Sequence, residues 1–142
     1  MSASDIVINE TYNVKSQQVW EAITDKEKMR SWYFDIPDFS ITPGSEFHFY
    51  GKGKEGESYL HICKVLECVS GKKLSYSWRY DGYSGNSIIS FELQTINSNT
   101  NLQLTHSGLE TFPAVAAFAR ENFVEGWTYL IKTGLKSFLE KV

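Results

Sequence analysis

Apolar residues recur at helical spacing near the end of the chain and at alternate positions through its middle, and these two periods predict most of the fold. Between Ala116 and Val142, Phe123, Val124, Trp127, Leu130, Ile131, Leu135, Phe138 and Val142 fall on one side of an ideal helix. Glu121, Glu125, Lys132, Lys136 and Glu140 fall on the other. About 25 residues at roughly 1.5 Å each span on the order of 38 Å, the length of a small domain. Such a helix must lie across the body of the protein, so its apolar stripe needs a surface beneath it. Gly134 lies in that stripe and predicts close contact with a sheet toward the C-terminal half.

The surface is predicted by period 2. Asp5 to Asn13, Glu46 to Gly53, Tyr59 to Val69, Lys73 to Tyr80, Ser87 to Thr95 and Asn101 to Ser107 read as strands, with a further short strand within Ile36 to Ile41. Turn-rich separators stand between them: Gly53-Lys54-Glu55-Gly56, Ser70-Gly71-Lys72, Asp81 to Gly85 and Asn97-Ser98-Asn99. Such short links favour an antiparallel meander. Leu74, Tyr76, Trp78 and Tyr80 share one face, as do Ile89, Phe91 and Leu93, and Leu102, Leu104 and His106; these sets are expected to point inward. Phe47 and Phe49 oppose His48 and Tyr50, and the Tyr59 to Val69 strand is apolar on both sides, so its phase stays open. After the first strand, Ser16 stands as an N-cap for a short helix to Thr24, and Asp25 caps a second from Lys26 to Ser31, ending at Trp32-Tyr33-Phe34.

Composition narrows the class. A length of 142 residues and an apolar content of 42% suit one domain with a sizeable core. With 14 basic against 17 acidic residues and no basic cluster, neither nucleic acid nor an anionic membrane surface is an expected partner. The first residues lack a secretory signal and no stretch is long enough to span a bilayer, so a cytoplasmic protein, monomeric or weakly dimeric, is expected. Cys63 and Cys68 would point to opposite faces of a strand and are read as unbridged thiols. His48, His61 and His106 are isolated, so no metal site and no cofactor are expected.

Several motifs occur in an order that resembles a known family. They are Val19-Trp20-Glu21-Ala22-Ile23-Thr24-Asp25, Trp32-Tyr33, Leu74-Ser75-Tyr76-Ser77-Trp78, Leu102-Gln103-Leu104-Thr105-His106-Ser107-Gly108 and Glu125-Gly126-Trp127. Together they resemble the helix-grip fold of the START/Bet v 1-like superfamily, and within it the branch named after the activator of the Hsp90 ATPase. The resemblance covers nearly the whole chain. It implies an α+β domain in which a curved antiparallel sheet of about six or seven strands wraps around the long C-terminal helix, with two short helices after the first strand. It also implies a cavity between sheet and helix, and either binding of apolar small molecules or action as a co-chaperone on an Hsp90-type chaperone.

On that reading an apolar or amphipathic small molecule would meet Trp32, Phe34, Tyr76, Trp78, Phe91, Phe123 and Trp127; the plain alternative for any one ring is core packing. His106, on the inward face, could hydrogen-bond a ligand head group or be satisfied within the core. Arg120 is read as a polar gate for an anionic group, or as a solvated side chain. An enzymatic alternative, cyclase or hydrolase, would use His106 as general base and needs a second titratable group, for which the inward faces offer Tyr76 and Tyr80. No nucleophile elbow accompanies them. Finally, the apolar insert Phe112-Pro113-Ala114-Val115, in the loop from Gly108 to Val115, is expected to act as a mobile lid.

Overall fold

The computed structural model describes residues 5–53 and 56–140. Met1 to Ser4, the turn residues Lys54 and Glu55, and the predicted helical position Val142 lie outside the described residues. The chain runs β1 (Ile6–Tyr12), α1 (Ser16–Thr24), α2 (Lys26–Trp32), β2 (Glu46–Lys52), β3 (Ser58–Val69), β4 (Lys73–Tyr80), β5 (Ser87–Ile96) and β6 (Asn99–Ser107). The helical C-terminal region follows. The strands form one antiparallel sheet in the order β1-β6-β5-β4-β3-β2. This is the α+β helix-grip arrangement, with a curved six-stranded sheet and a C-terminal helix of 20 residues. No helix of the described residues is long and apolar enough to cross a membrane.

The phases hold where the sequence alternates. Leu74, Tyr76, Trp78, Tyr80, Ile89, Phe91, Leu102, Leu104 and His106 are buried, and Leu93 is partly so. Register settles the faces left open: Phe47 and Phe49 are buried opposite Cys63 and His61, which carries the inner face onto β3. A β-bulge between Val65 and Glu67 then shifts the phase. It places Cys68 opposite the buried Leu74, and directly opposed residues share a face. Cys63 and Cys68 therefore both lie on the inner side, contrary to the simple alternation, and both are free thiols.

Two other local expectations change. The segment Ile36 to Ile41 is irregular: Pro37 has no N–H for a ladder, and Phe39 turns back to donate to the Ile36 carbonyl so that its ring meets Phe47. The N-cap of α1 is Lys15 rather than Ser16. Asp25 caps α2 as expected, its Oδ1 accepting from the Glu27 N–H at 2.9 Å. Trp32, at the end of α2, donates its indole N–H to the Ala22 carbonyl and so locks α2 onto α1.

The C-terminal helix starts later than its periodicity suggests and is not uniform. Ala116–Phe118 form a 3₁₀ turn and Ala119 is extended, which turns Phe118 inward onto Tyr80 at 4.6 Å. The helix then runs as α3 (Arg120–Tyr129), a π turn (Leu130–Gly134) and α4 (Leu135–Leu139). Its buried positions are Trp127, Ile131, Leu135 and Leu139. Twelve residues at about 100° each would leave the last of these some 120° out of phase with the first. A π turn admits one extra residue and removes about 100° of that drift. This is why Leu139, rather than Phe138, completes the stripe.

Tyr12, fully buried, donates its hydroxyl to the Ile131 carbonyl within the π turn at 2.6 Å. Gly134 makes its close approach to α2, not to the sheet: a Cβ there would stand 3.4 Å from the Trp32 carbonyl oxygen.

Candidate functional site

The helix is tied to one flank of the sheet. Besides the Tyr12 bond, Glu10 of β1 receives Lys132 at 3.0 Å and Lys136 at 2.9 Å, and Arg120 donates to the Asp5 carbonyl. All these ties reach the β1 side. On the opposite side, toward β2, β3 and the end of β4, α3 stands off and leaves an open cleft of about 830 Å³. That volume is within the range of small-molecule sites.

Its lining comes from Phe34 after α2, Gly51 to Gly53 at the end of β2, Glu57, Tyr59 and His61 at the start of β3, and Tyr80 at the end of β4. Opposite them stand Ala116 to Phe118 and Asn122, Phe123, Glu125, Gly126 and Tyr129. Six aromatic rings are thus gathered round the opening, together with one imidazole. Gly126 is the helical position that borders it without a side chain, and a Cβ there would meet nothing within 4 Å.

His61 forms part of the cleft's floor. Its ring stacks on Phe49 at 4.5 Å and meets the edges of Trp78 and Tyr80 at 4.8 and 4.7 Å, with Gly51 too close across it to carry a side chain. Burial lowers its pKa to about 4, against the partial support of the Tyr59 and Phe49 carbonyls. It is a neutral imidazole at physiological pH. Tyr80 beside it accepts the Trp78 indole N–H at 2.9 Å, and burial raises its phenol pKa.

Of the residues expected at the site, Phe34 and Phe123 line this cleft. Trp32, Tyr76, Trp78, Phe91, His106 and Trp127 are brought together behind it as packed core. There Tyr33 fills the interior between sheet and helix, stacking on Trp127 at 6.0 Å and sharing a 2.7 Å hydroxyl contact with Tyr76. Arg120 lies on the β1 flank of the helix, outside the cleft lining.

His106 is completely enclosed, and its bonds fix its tautomer. The Trp127 Nε1–H can only donate, at 2.9 Å, so Nδ1 accepts and the proton resides on Nε2. Nε2–H then donates to Ser87 Oγ at 2.8 Å, whose hydroxyl donates to the Trp78 carbonyl. Burial lowers the His106 pKa to about 3. With both ring nitrogens committed, His106 has no lone pair for a substrate, which removes the geometric basis for its role as a general base.

The expected lid is anchored at Thr111 and Phe112, while Ala114 and Val115 are exposed. Thr111 Oγ1 accepts the Asn86 N–H at 2.8 Å, and Phe112 is a core residue against Tyr80 and Phe118. The neighbouring turn Ala116–Phe118, not the insert, borders the cleft.

The lining residues that the sequence left unmarked include Tyr59, His61, Phe118, Asn122, Gly126 and Tyr129. Pairing of β2 with β3 carried the signal for His61, because an inward Phe49 requires an inward partner. Gly126 carried its own, since a helix-interior glycine is disfavoured by about 1 kcal/mol relative to alanine and needs a reason.

A family model described as "Activator of Hsp90 ATPase homolog 1-like protein" matches residues 13–140. No curated protein matches the sequence. Among solved structures, protein CV1439 of Chromobacterium violaceum superposes with a TM-score of 0.83 at 18% identity, over 99% of this chain and 100% of its own. Protein MLL2253 of Mesorhizobium loti gives 0.80 at 22%, over 97% and 98%. Protein BH1534 of Bacillus halodurans gives 0.75 at 25%, over 96% of each chain.

Proposed function

Because the chain belongs to the activator of Hsp90 ATPase homolog 1-like family, we propose that it is a non-enzymatic binding module whose side cleft holds an apolar or amphipathic small molecule. The observation carrying this reading is the contrast within the sheet–helix space. Its centre is filled by Tyr33, Trp78, Phe91 and Trp127, while about 830 Å³ beside α3 is left open among aromatic rings, with Gly126 on its helical wall. An apolar wall with a few placed polar groups is how small-molecule sites are commonly made.

Filling the opening tests this. Gly126→Ala should retain binding and gain about 0.5–1 kcal/mol of stability from helix propensity. Gly126→Phe should keep the fold and weaken binding at least tenfold across a panel of fatty acids and aromatic compounds, followed by intrinsic fluorescence. A panel that never binds the wild-type chain, or binds Gly126→Phe equally well, would count against the cleft. Capture by an Hsp90-type chaperone, insensitive to Gly126→Phe, would instead favour a protein-partner role for the outer surface.

A further inference from the structure

Two neighbouring polar groups on the cleft floor have unused and complementary hydrogen-bonding capacity. His61 Nδ1 lies 3.1 Å from the Tyr59 carbonyl oxygen. A carbonyl only accepts, so the proton sits on Nδ1 and Nε2 carries a lone pair. Nε2 makes no hydrogen bond of ordinary geometry to a described residue and is not among their enclosed, unpartnered polar atoms, the Phe49 carbonyl being the one other acceptor beside the ring. Nε2 therefore opens to the cleft that His61 lines. Beside it, the Tyr80 oxygen already accepts from Trp78 Nε1, which leaves its own O–H to donate. The two rings are 4.7 Å apart, centre to centre, and both border the same opening.

Resting on the reading of this cleft as a small-molecule site, we propose that its occupant is a neutral hydroxyl-bearing compound, a phenol or alcohol on an apolar body. Its O–H donates to His61 Nε2, and its oxygen accepts from the Tyr80 hydroxyl. Few simple groups other than a hydroxyl satisfy both partners at once. An ether of the same shape accepts from Tyr80 but leaves Nε2 without a donor. An ionised carboxylate turns its own lone pairs toward Nε2 and has no proton to give it. Sites that hydrogen-bond a ligand hydroxyl reject analogues lacking it more strongly than apolar pockets reject a change of size.

The test compares 2-naphthol, 2-methoxynaphthalene and 2-naphthoate on the full chain by calorimetric titration near pH 7.5. We expect 2-naphthol to bind at least tenfold more tightly than either analogue. His61→Phe keeps an aromatic ring in the box and should bring 2-naphthol down to the level of the ether. Tyr80→Phe, which removes the donor and with it the acceptor of the Trp78 indole N–H, should weaken 2-naphthol and the ether alike. An ether or carboxylate that binds the wild-type chain as tightly as 2-naphthol overturns the hydroxyl selectivity and leaves the cleft standing as an apolar site. Failure of all three compounds along with the wider panel overturns both.

Discussion

Replacing Trp127 with alanine is expected to cost about 3–5 kcal/mol of stability, the range for emptying a large buried aromatic site. Trp127 is almost fully buried and touches Tyr33, Trp78 and Phe91, so little can collapse into the space it leaves. The informative companion is Trp127→Phe. It preserves much of the ring volume but removes the indole N–H, the donor to His106 Nδ1. A buried acceptor left without its partner costs about 1–3 kcal/mol. Urea unfolding should therefore rank wild type, Trp127→Phe and Trp127→Ala in falling order. A Trp127→Phe protein within about 0.5 kcal/mol of wild type, below the usual net worth of a hydrogen bond, would mean that the chain through His106, Ser87 and Trp78 adds nothing beyond packing.

Stability should also fall steeply on mild acidification. His61 and His106 have folded-state pKa values depressed to about 4 and about 3 from an ordinary 6.5, in both cases chiefly by burial. Above pH 6.5 neither imidazole is protonated in either state, and neither affects stability. Below it the unfolded chain takes up two protons that the folded chain refuses, so the unfolded state gains. The slope approaches about 1.4 kcal/mol per pH unit for each histidine. For His61 the loss is spread from 6.5 down to about 4, and for His106 down to about 3. Urea midpoints at pH 7.5, 6.5, 5.5 and 4.5 check this, and His61→Phe should roughly halve the slope. Midpoints that stay flat between pH 6.5 and 5 would show that the imidazoles are hydrated or protonated in the folded protein.

Strand positions and the inner face were legible in the sequence because alternation, once one face is buried, admits one register. Leu74, Tyr76, Trp78 and Tyr80, and Leu102, Leu104 and His106, follow it. Legibility fails where the period is interrupted. The bulge at Val65 and Glu67 re-phases β3 and brings Cys68 inward. The π turn re-phases the last helix, which exchanges Phe138 for Leu139. Neither irregularity leaves a mark in a plain count of apolar residues.

The candidate site was legible only in part, and for a related reason. Inward-facing aromatics can be listed from periodicity, but the list does not distinguish rings that fill space from rings that border it. Trp78, Phe91 and Trp127 fill it because Tyr33 arrives from the end of α2 to complete the packing, a long-range contact with no local signature. The opening is set instead by asymmetry: the Tyr12, Glu10 and Arg120 ties draw the helix toward β1, away from β2 and β3. Arg120 thus has a visible structural partner on the flank opposite the cleft. His61 and Gly126, each unremarkable alone, meet across the gap this creates.

Amide shift mapping of the full chain with a bound compound from the panel, 2-naphthol first, bears most directly on the claim that the side cleft is the binding site. The expected perturbations fall at 51–53, 59–61 and 118–129, with His61, Phe118 and Gly126 among the largest, while Arg79 and Thr105 stay unmoved on the outer face of the sheet. Shifts confined to the outer face or to the β1 flank around Glu10 and Lys136, or no shifts with any compound, would contradict it.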